Sequence, residues 1–395
     1  MSEKKDYNYN SPSKFTDEMK TIPPVRRLTE LEKAQMTPLQ AMTASFGLPR
    51  MIITGFLLLL LVTAPFVGVD LPTQITNIIN RFSWNAVLVL AMVPMIHAGC
   101  GLNFGLPLAI ICGLLGGTLS IQLGFTGAMS FVMAVLIATP FAVLLGGGYG
   151  LLLNRIKGGE MMIATYVGFS VMSFFCMMWL LLPYSSPTMV YGLSGNGLRP
   201  TISLDGFYNQ TLARLLEIDF AKIAATLHIG LGPLERIKIP TGSLIAFALL
   251  AFLMWAFLHT KTGTAMTAVG SNAAFARAAG INVDRTRMLS VIMSTWLGAM
   301  GVLMYQQGFG FIQLYNAPNN LTMPTVAAIL IGGASVNKAS IPNVIIGTIL
   351  YQGIVTMTPT VMNSAIHMDM SEVIRIIVSN GMILYALTRK TEGVK

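Results

Sequence analysis

The sequence predicts an all-α, polytopic membrane protein with about ten transmembrane helices and both termini in the cytosol. Three observations carry this reading. Of 395 residues, 54% are hydrophobic and only 10% charged, whereas about a quarter are charged in soluble globular domains. Ten apolar stretches approach the roughly 20 residues a helix needs to cross a hydrocarbon core about 30 Å thick. The Lys and Arg residues crowd the loops on one side of those stretches, as the positive-inside rule requires.

Residues 1–50 read as a polar cytosolic N-terminal arm, whose charges lie well before the first apolar run and so do not resemble a cleavable secretory signal. The transmembrane domain occupies 51–390. Its predicted spans are 51–69, 83–98, 104–123, 126–153 and 161–183, then, after a long polar interval, 241–258, 288–310, 321–336, 341–357 and 371–387. With the N-terminus inside, the cytosolic segments hold 18 basic residues: eight up to Arg50, then Arg155 and Lys157, four within 261–287, Lys338, and three at the C-terminal end. The outer segments hold six, five of them in 184–240. Topology and anionic lipid thus account for the net charge of +9, which points away from nucleic acid.

Pro94, Pro107 and Pro140 predict breaks or kinks in the second to fourth spans. Glycines at 116, 117, 146–148, 150, 298 and 301 permit close helix packing or mark a hinge. Cys100, Cys112 and Cys176 read as small core residues, not as a metal site or disulfide framework. The external loop, 184–240, begins with turn-rich PYSSP and GLSGNGLRP. It continues with apolar residues at 212, 215, 216, 220, 223 and 227, whose helical spacing predicts an interfacial helix, a docking face for an external partner, or both.

Within the cytosolic loop 260–287 lies AVGSNAAFARAAGINV, residues 268–283. Asn272 suits an N-cap, 273–279 favour helix, and Gly280 supplies a left-handed stop. A helix of about two turns is too short to be stable alone in water, so it needs a surface to dock into. Thr260, Gly263, Ala268, Val269, Gly270, Asn272, Ala276, Arg277, Gly280, Ile281 and Val283 form a pattern that resembles the cytosolic loop of one family. It is that of the membrane permeases of ATP-binding-cassette (ABC) importers of the ribose and simple-sugar type, whose relatives carry nucleosides or branched-chain amino acids. TVAAILIGGAS, 325–335, and IPTGSLIAFALL, from Ile239, are similar to further stretches of that family. The resemblance covers roughly 83–387.

The resemblance implies that Gly270, Asn272, Ala276, Arg277, Gly280 and Ile281 build a coupling helix, which inserts into a cleft on a separate cytosolic ABC ATPase subunit. It also implies a second permease copy or homologue and an extracytoplasmic substrate-binding protein. ATP and Mg would be used by the ATPase partner, with no cofactor bound by this chain. The setting is the cell membrane, multi-pass. One departure concerns CGLNFGLP, where Asn103 stands in place of the aspartate of sugar-type members, while Asn103 and Gly105 resemble the Asn-x-Gly of nucleoside-type ones. A sugar is the first expectation for the cargo, with a nucleoside as the alternative. The N-terminal arm has no counterpart in the family.

A polar solute crossing lipid needs hydrogen-bonding groups inside the spans, where they are costly unless they face a cavity or one another. The candidates are Asn85, His97, Asn103, Tyr305, Gln306, Gln307, Tyr351 and Gln352, led by Gln306 and Gln352. Amide and aromatic side chains suit neutral hydroxylated rings, since they donate and accept without imposing charge. Glu160 complements the start of the fifth span, and Glu372 and Arg375 have the spacing of a local ion pair. Catalytic constellations are missing. GGASVNK, 332–338, lacks the glycine a phosphate loop needs before its lysine, no histidine pair has zinc spacing, and no serine sits in a G-x-S-x-G elbow. These observations predict a transporter subunit and not an enzyme. An ion- or proton-coupled carrier is the alternative from another class, disfavoured by the absence of a chain of intramembrane acids.

Overall fold

The computed structural model describes residues 48–156, 158–190, 197–222, 232–336, 338–366 and 371–388. The chain divides into two units, Met1–Met51 and Ile52–Lys395. The predicted arm lies almost wholly outside the described residues, and the helical bundle belongs to the second unit.

Helices dominate. Helix α1, Leu48–Thr63, runs into a 3-10 turn, Ala64–Val67, closed by Gly68 in the left-handed region at φ 78°. Helix α2, Leu71–Leu90, starts at Asp70, whose carboxylate accepts from the Thr73 backbone N–H at 3.3 Å. It begins twelve residues before the predicted span because 71–82 is amphipathic and carries Arg81, so a hydropathy window passes over it. Arg81, expected in an outer segment, therefore lies inside a helix. A break at Ala91 separates α2 from α3, Met92–His97, as expected where Pro94 lacks an N–H and its ring crowds the Leu90 carbonyl. Pro107 breaks nothing: it sits in the first turn of α4, Leu106–Gln122, where helices tolerate proline. Pro140 lies inside α5, Gly127–Arg155, which continues through it. Helix α6 is Glu160–Leu181.

The second half holds α8, Thr241–Leu258; the short α9, Lys261–Ser271, and α10, Ala273–Ala278; then α11, Val283–Phe309, α12, Ala317–Ile331, α13, Ile341–Ile366, and α14, Ser371–Thr388. Each of the ten predicted stretches falls on a helix. Seven segments are long and apolar enough to cross a membrane: Arg50–Val67, Leu71–His97, Gly127–Arg155, Glu160–Leu181, Thr241–Leu258, Val283–Phe309 and Ile341–Ala365. Leu106–Gln122 is apolar but shorter.

Helices α2, α4 and α11 form the centre, and small residues let their backbones meet one another and that of α5. A Cβ on Gly113 would stand 2.6 Å from the Ala299 carbonyl, one on Gly116 2.4 Å from that of Ala134, and one on Gly301 2.8 Å from the Leu88 nitrogen. The packing role of Gly116 and Gly301 is thus realised. Cys100 and Cys112 are buried and Cys176 half-buried, all as free thiols.

The expectation of a purely helical chain needs correcting at one end of the bundle. There β1, Thr201–Ser203, pairs antiparallel with β4, Phe311–Gln313, and β2, Ile218–Asp219, with β3, Lys238–Ile239. The predicted interfacial helix is broken for the same reason. Only Thr211–Arg214, α7, is helical before Leu216 turns to φ 64° and β2 takes up the backbone. Residues 220–222 are helical again, and 223 and 227 lie outside the described residues. At this end Arg236 pairs with Asp70 at 2.9 Å and Lys238 with Asp219 at 3.4 Å. The hydrogen bond from the Thr73 hydroxyl and the charge of Arg236 hold the Asp70 carboxyl below its ordinary pKa, outweighing its partial desolvation.

Candidate functional site

The opposite end of the bundle gathers the loop singled out by sequence. Thr260 caps α9 by accepting from the Gly263 N–H at 3.2 Å. Asn272, with extended backbone, accepts from Phe275 N–H at 2.9 Å and so caps α10. Gly280, at φ 82°, closes that helix through Gly280 N–H to the Arg277 carbonyl and Ile281 N–H to the Ala276 carbonyl, both 3.0 Å. This double reversal is the Schellman stop, with its usual contact between the residue after the glycine and the third from the end. Ile281 packs on Ala276 within a small cluster with Val269, Val283 and Ala273. Asn282 then accepts from Arg285 N–H at 3.0 Å and starts α11. Ala276 is fully buried while Phe275, beside it, is 70% exposed; Arg277 points to solvent.

Gly270 does something the sequence did not reveal. It lies in the last turn of α9, and a Cβ there would stand 2.1 Å from the His97 carbonyl and 2.9 Å from the Gly99 nitrogen. Helix α9 thus lies directly on the backbone that ends α3. His97 locks this contact from its other side: Nδ1 lies 3.2 Å from the Thr267 hydroxyl and Nε2 2.8 Å from the Ala339 carbonyl. Beside it, Arg287 near the start of α11 pairs with Glu160 at 3.1 Å, both side chains being mostly buried, and donates to the Gly99 carbonyl at 3.4 Å. Glu160, expected only as a helix-start acid, also accepts from the Gly158 N–H at 3.1 Å.

The structure scatters the eight candidates for solute contact, and most are committed elsewhere. His97 belongs to the loop contact just described. Asn103 is fully buried, donating to Ser294 Oγ at 2.8 Å and accepting from Tyr149 OH at 3.2 Å, while Ser294 donates to the Ala91 carbonyl at 2.6 Å. Asn85 donates to the Arg81 carbonyl one turn back. Gln307 accepts from the Leu212 N–H and donates to Ser243, fastening α11 to α7 and α8. Gln306 accepts from Tyr208 OH at 2.8 Å, and its Nε2 is buried with no hydrogen-bond partner among the described residues. Tyr305 stacks on Phe309 at 5.5 Å. Tyr351 shares a hydrogen bond with Ser379 at 2.5 Å, and Gln352 is buried beside it. Side chains at Glu372 and Arg375 lie outside the described residues.

A family described as "Branched-chain amino acid transport system / permease component" matches residues 74–387. The chain is 24% identical over 358 residues to the xylose transport system permease protein XylH of Haemophilus influenzae, covering 82% of this chain and 90% of that one. It is 33% identical over 96 residues to the autoinducer 2 import system permease protein LsrC of Enterobacter sp. (strain 638), covering 24% of this chain and 27% of the relative. It is 30% identical over 103 residues to the probable ABC transporter permease protein YphD of Escherichia coli K12, covering 26% and 31%. The chain therefore spans under a third of the length of the relatives it matches at 30% identity or more. No solved structure matches.

Proposed function

The chain belongs to this permease family and is a multi-pass membrane protein, and from that premise we propose that it is the pathway-forming subunit of an ABC importer for a small uncharged polar solute, a sugar first. The observation that carries the reading is the 272–281 turn. It is a helix of six residues, capped at both ends and seated on its own cluster, which turns Phe275 outward at 70% exposure. A helix that short holds its aim only while its caps and seat hold it, and an exposed aromatic beside exposed alanines suits a cleft in a partner.

In this reading all ten helical segments lie in the membrane, with both termini, the arm 1–50 and the loop 260–287 in the cytosol, as the distribution of basic residues supports. Gly270, Asn272, Ala276, Arg277, Gly280 and Ile281 aim the helix at a cytosolic ATPase, which uses ATP and Mg while this chain binds neither. A second permease copy or homologue supplies the other wall of the pathway, and an extracytoplasmic binding protein delivers solute to the end that carries the short sheets. Closure of the ATPases shifts the balance between inward- and outward-open states by differential contacts with the coupling helices. A sugar is favoured because the xylose permease aligns along most of both chains.

The test is reconstitution with the cognate ATPase and binding protein. Uptake of a sugar bound by that protein, dependent on ATP, is the expected result, and calorimetry of the binding protein against sugars and nucleosides ranks the cargo. No uptake of any solute on adding ATP and loaded binding protein would overturn the importer reading.

A further inference from the structure

Helix α6 differs from α1, α5 and α8, which likewise expose a broad apolar face. In α1, α5 and α8 the exposed side chains between the helix ends are all apolar or glycine, alanine or proline, as lipid requires. On α6 the exposed strip carries Tyr166, Ser170 and Ser173, spaced four and three apart and so on one face. Ser170 falls at the middle of a 22-residue helix, which at 1.5 Å per residue is about 33 Å long. Exposed hydroxyls at that depth are out of place against hydrocarbon and expected against water or a polar wall.

A second, independent feature stands next to the strip. Thr165, Phe169 and Met172, one residue back along the same helix, wall a small open cleft, whose opposite side is Pro318, Asn319 and Thr322 at the start of α12. Helix α12 has 15 residues, about 22 Å, too short for a 30 Å core. Its first turn, with exposed Asn319, therefore begins within the membrane, as interrupted helices do where they border a pathway. Tyr166, Ser170, Ser173 and Asn319 make no side-chain hydrogen bond among the described residues, and the face holds no ionisable carboxylate or amine.

We infer that the strip Tyr166, Ser170 and Ser173, together with Asn319 across the cleft, is the solute-facing wall of the pathway, built for an uncharged polyhydroxylated ring. Hydroxyl and amide groups trade hydrogen bonds with sugar hydroxyls without selecting charge, and their place beside an interrupted helix is where a pathway needs them. The inference rests on the importer reading. It moves the solute contacts from the buried amides of α11 and α13 to an exposed face that those amides only support.

Thiol accessibility tests it. In a Cys100→Ala, Cys112→Ala, Cys176→Ala background, since all three cysteines are free thiols, Tyr166→Cys, Ser170→Cys, Ser173→Cys and Asn319→Cys are placed one at a time in the full chain in membranes. Leu144→Cys, at a 73% exposed apolar position on α5, serves as the lipid reference. Anionic and cationic methanethiosulfonates are applied with and without ATP. Labelling of the α6 and α12 positions at least tenfold faster than Leu144→Cys by both reagents is expected. Equal slowness at all positions, with N-ethylmaleimide still labelling the denatured chains, overturns the assignment; a strong preference for one charge overturns the uncharged-solute class. ATP-driven uptake by the unsubstituted protein, measured in the same vesicles, reports separately on the importer reading.

Discussion

Two glycines in one loop are required for different reasons, and substitution separates them. At Gly270 the obstacle is contact: a Cβ would lie 2.1 Å from the His97 carbonyl oxygen, whereas a carbon approaches such an oxygen to about 3.3 Å. Relief needs about 1 Å of separation between α9 and the α3 end, both backbone, so no rotamer change supplies it. Overpacking of this kind costs roughly 1–3 kcal/mol, and loss of the His97 bridge to Thr267 and Ala339 adds about 1 kcal/mol. Gly270→Ala should therefore destabilise by roughly 2–4 kcal/mol, read as a fall in melting temperature of the purified protein and loss of ATP-driven uptake. At Gly280 nothing lies within 4 Å of a Cβ, but φ is 82°. There Asn, which tolerates left-handed backbone, should be nearly silent, Ala should cost about 1 kcal/mol, and β-branched Val should misplace the helix. Gly270→Ala melting and transporting like the unsubstituted protein, or Gly280→Asn failing as badly as Gly280→Val, would refute this division.

The same geometry sets three more outcomes. Glu160→Gln and Arg287→Met should each destabilise by roughly 1–3 kcal/mol, below the range for a fully buried pair because both groups keep some solvent contact, and the double variant should recover part of the loss in a double-mutant cycle of melting temperatures. Asp70 has its carboxyl pKa lowered in the folded protein, so its contribution is present above the unfolded value of about 3.9 and is lost as pH falls below it. The melting-temperature gap between the unsubstituted protein and Asp70→Asn should be open at pH 7 and close as pH drops through that range. Asn103→Asp should destabilise strongly, because a carboxylate there would face the Ser294 oxygen that now accepts from the amide, while Tyr149→Phe should cost about 1–3 kcal/mol by stranding the Asn103 carbonyl; both are read in the same melts.

Legibility in the sequence tracked the range of the interactions. Local signals held: Asn272 and Gly280 delimit the short helix because capping involves only near neighbours in sequence. Hydropathy found a helix at each of ten places, but not that α2 starts at Leu71, since an amphipathic turn does not register as apolar. Long-range contacts were invisible. The Asn103, Ser294 and Ala91 chain joins positions roughly 200 apart in sequence, and nothing local distinguishes an amide that bonds a neighbouring helix from one that awaits a solute. The strip on α6 does not show in the sequence, because three scattered hydroxyls barely change the hydropathy of a 22-residue window. Their meaning lies in which face they occupy and in what that face is left open to.

A six-residue helix can transmit force only if its support is stiffer than the helix itself. Here the support is backbone against backbone at Gly270 and Gly99, a closed apolar seat at Val269, Ala276 and Val283, and a mostly buried ion pair from Arg287 to Glu160. None of these contacts depends on a long exposed side chain whose rotamers would absorb a displacement, and tightly packed contacts switch between arrangements more readily than they stretch. Movement imposed on Phe275 therefore passes to the ends of three helices at once: the start of α11, the end of α3 and the start of α6. Ser170 sits ten residues above Glu160 on α6, about 15 Å along a continuous helix. The proposed coupling loop and the proposed solute wall are thus two ends of one lever, and Arg287 to Glu160 is the joint that a charge-neutralising substitution should loosen at the wall without altering a single residue of it.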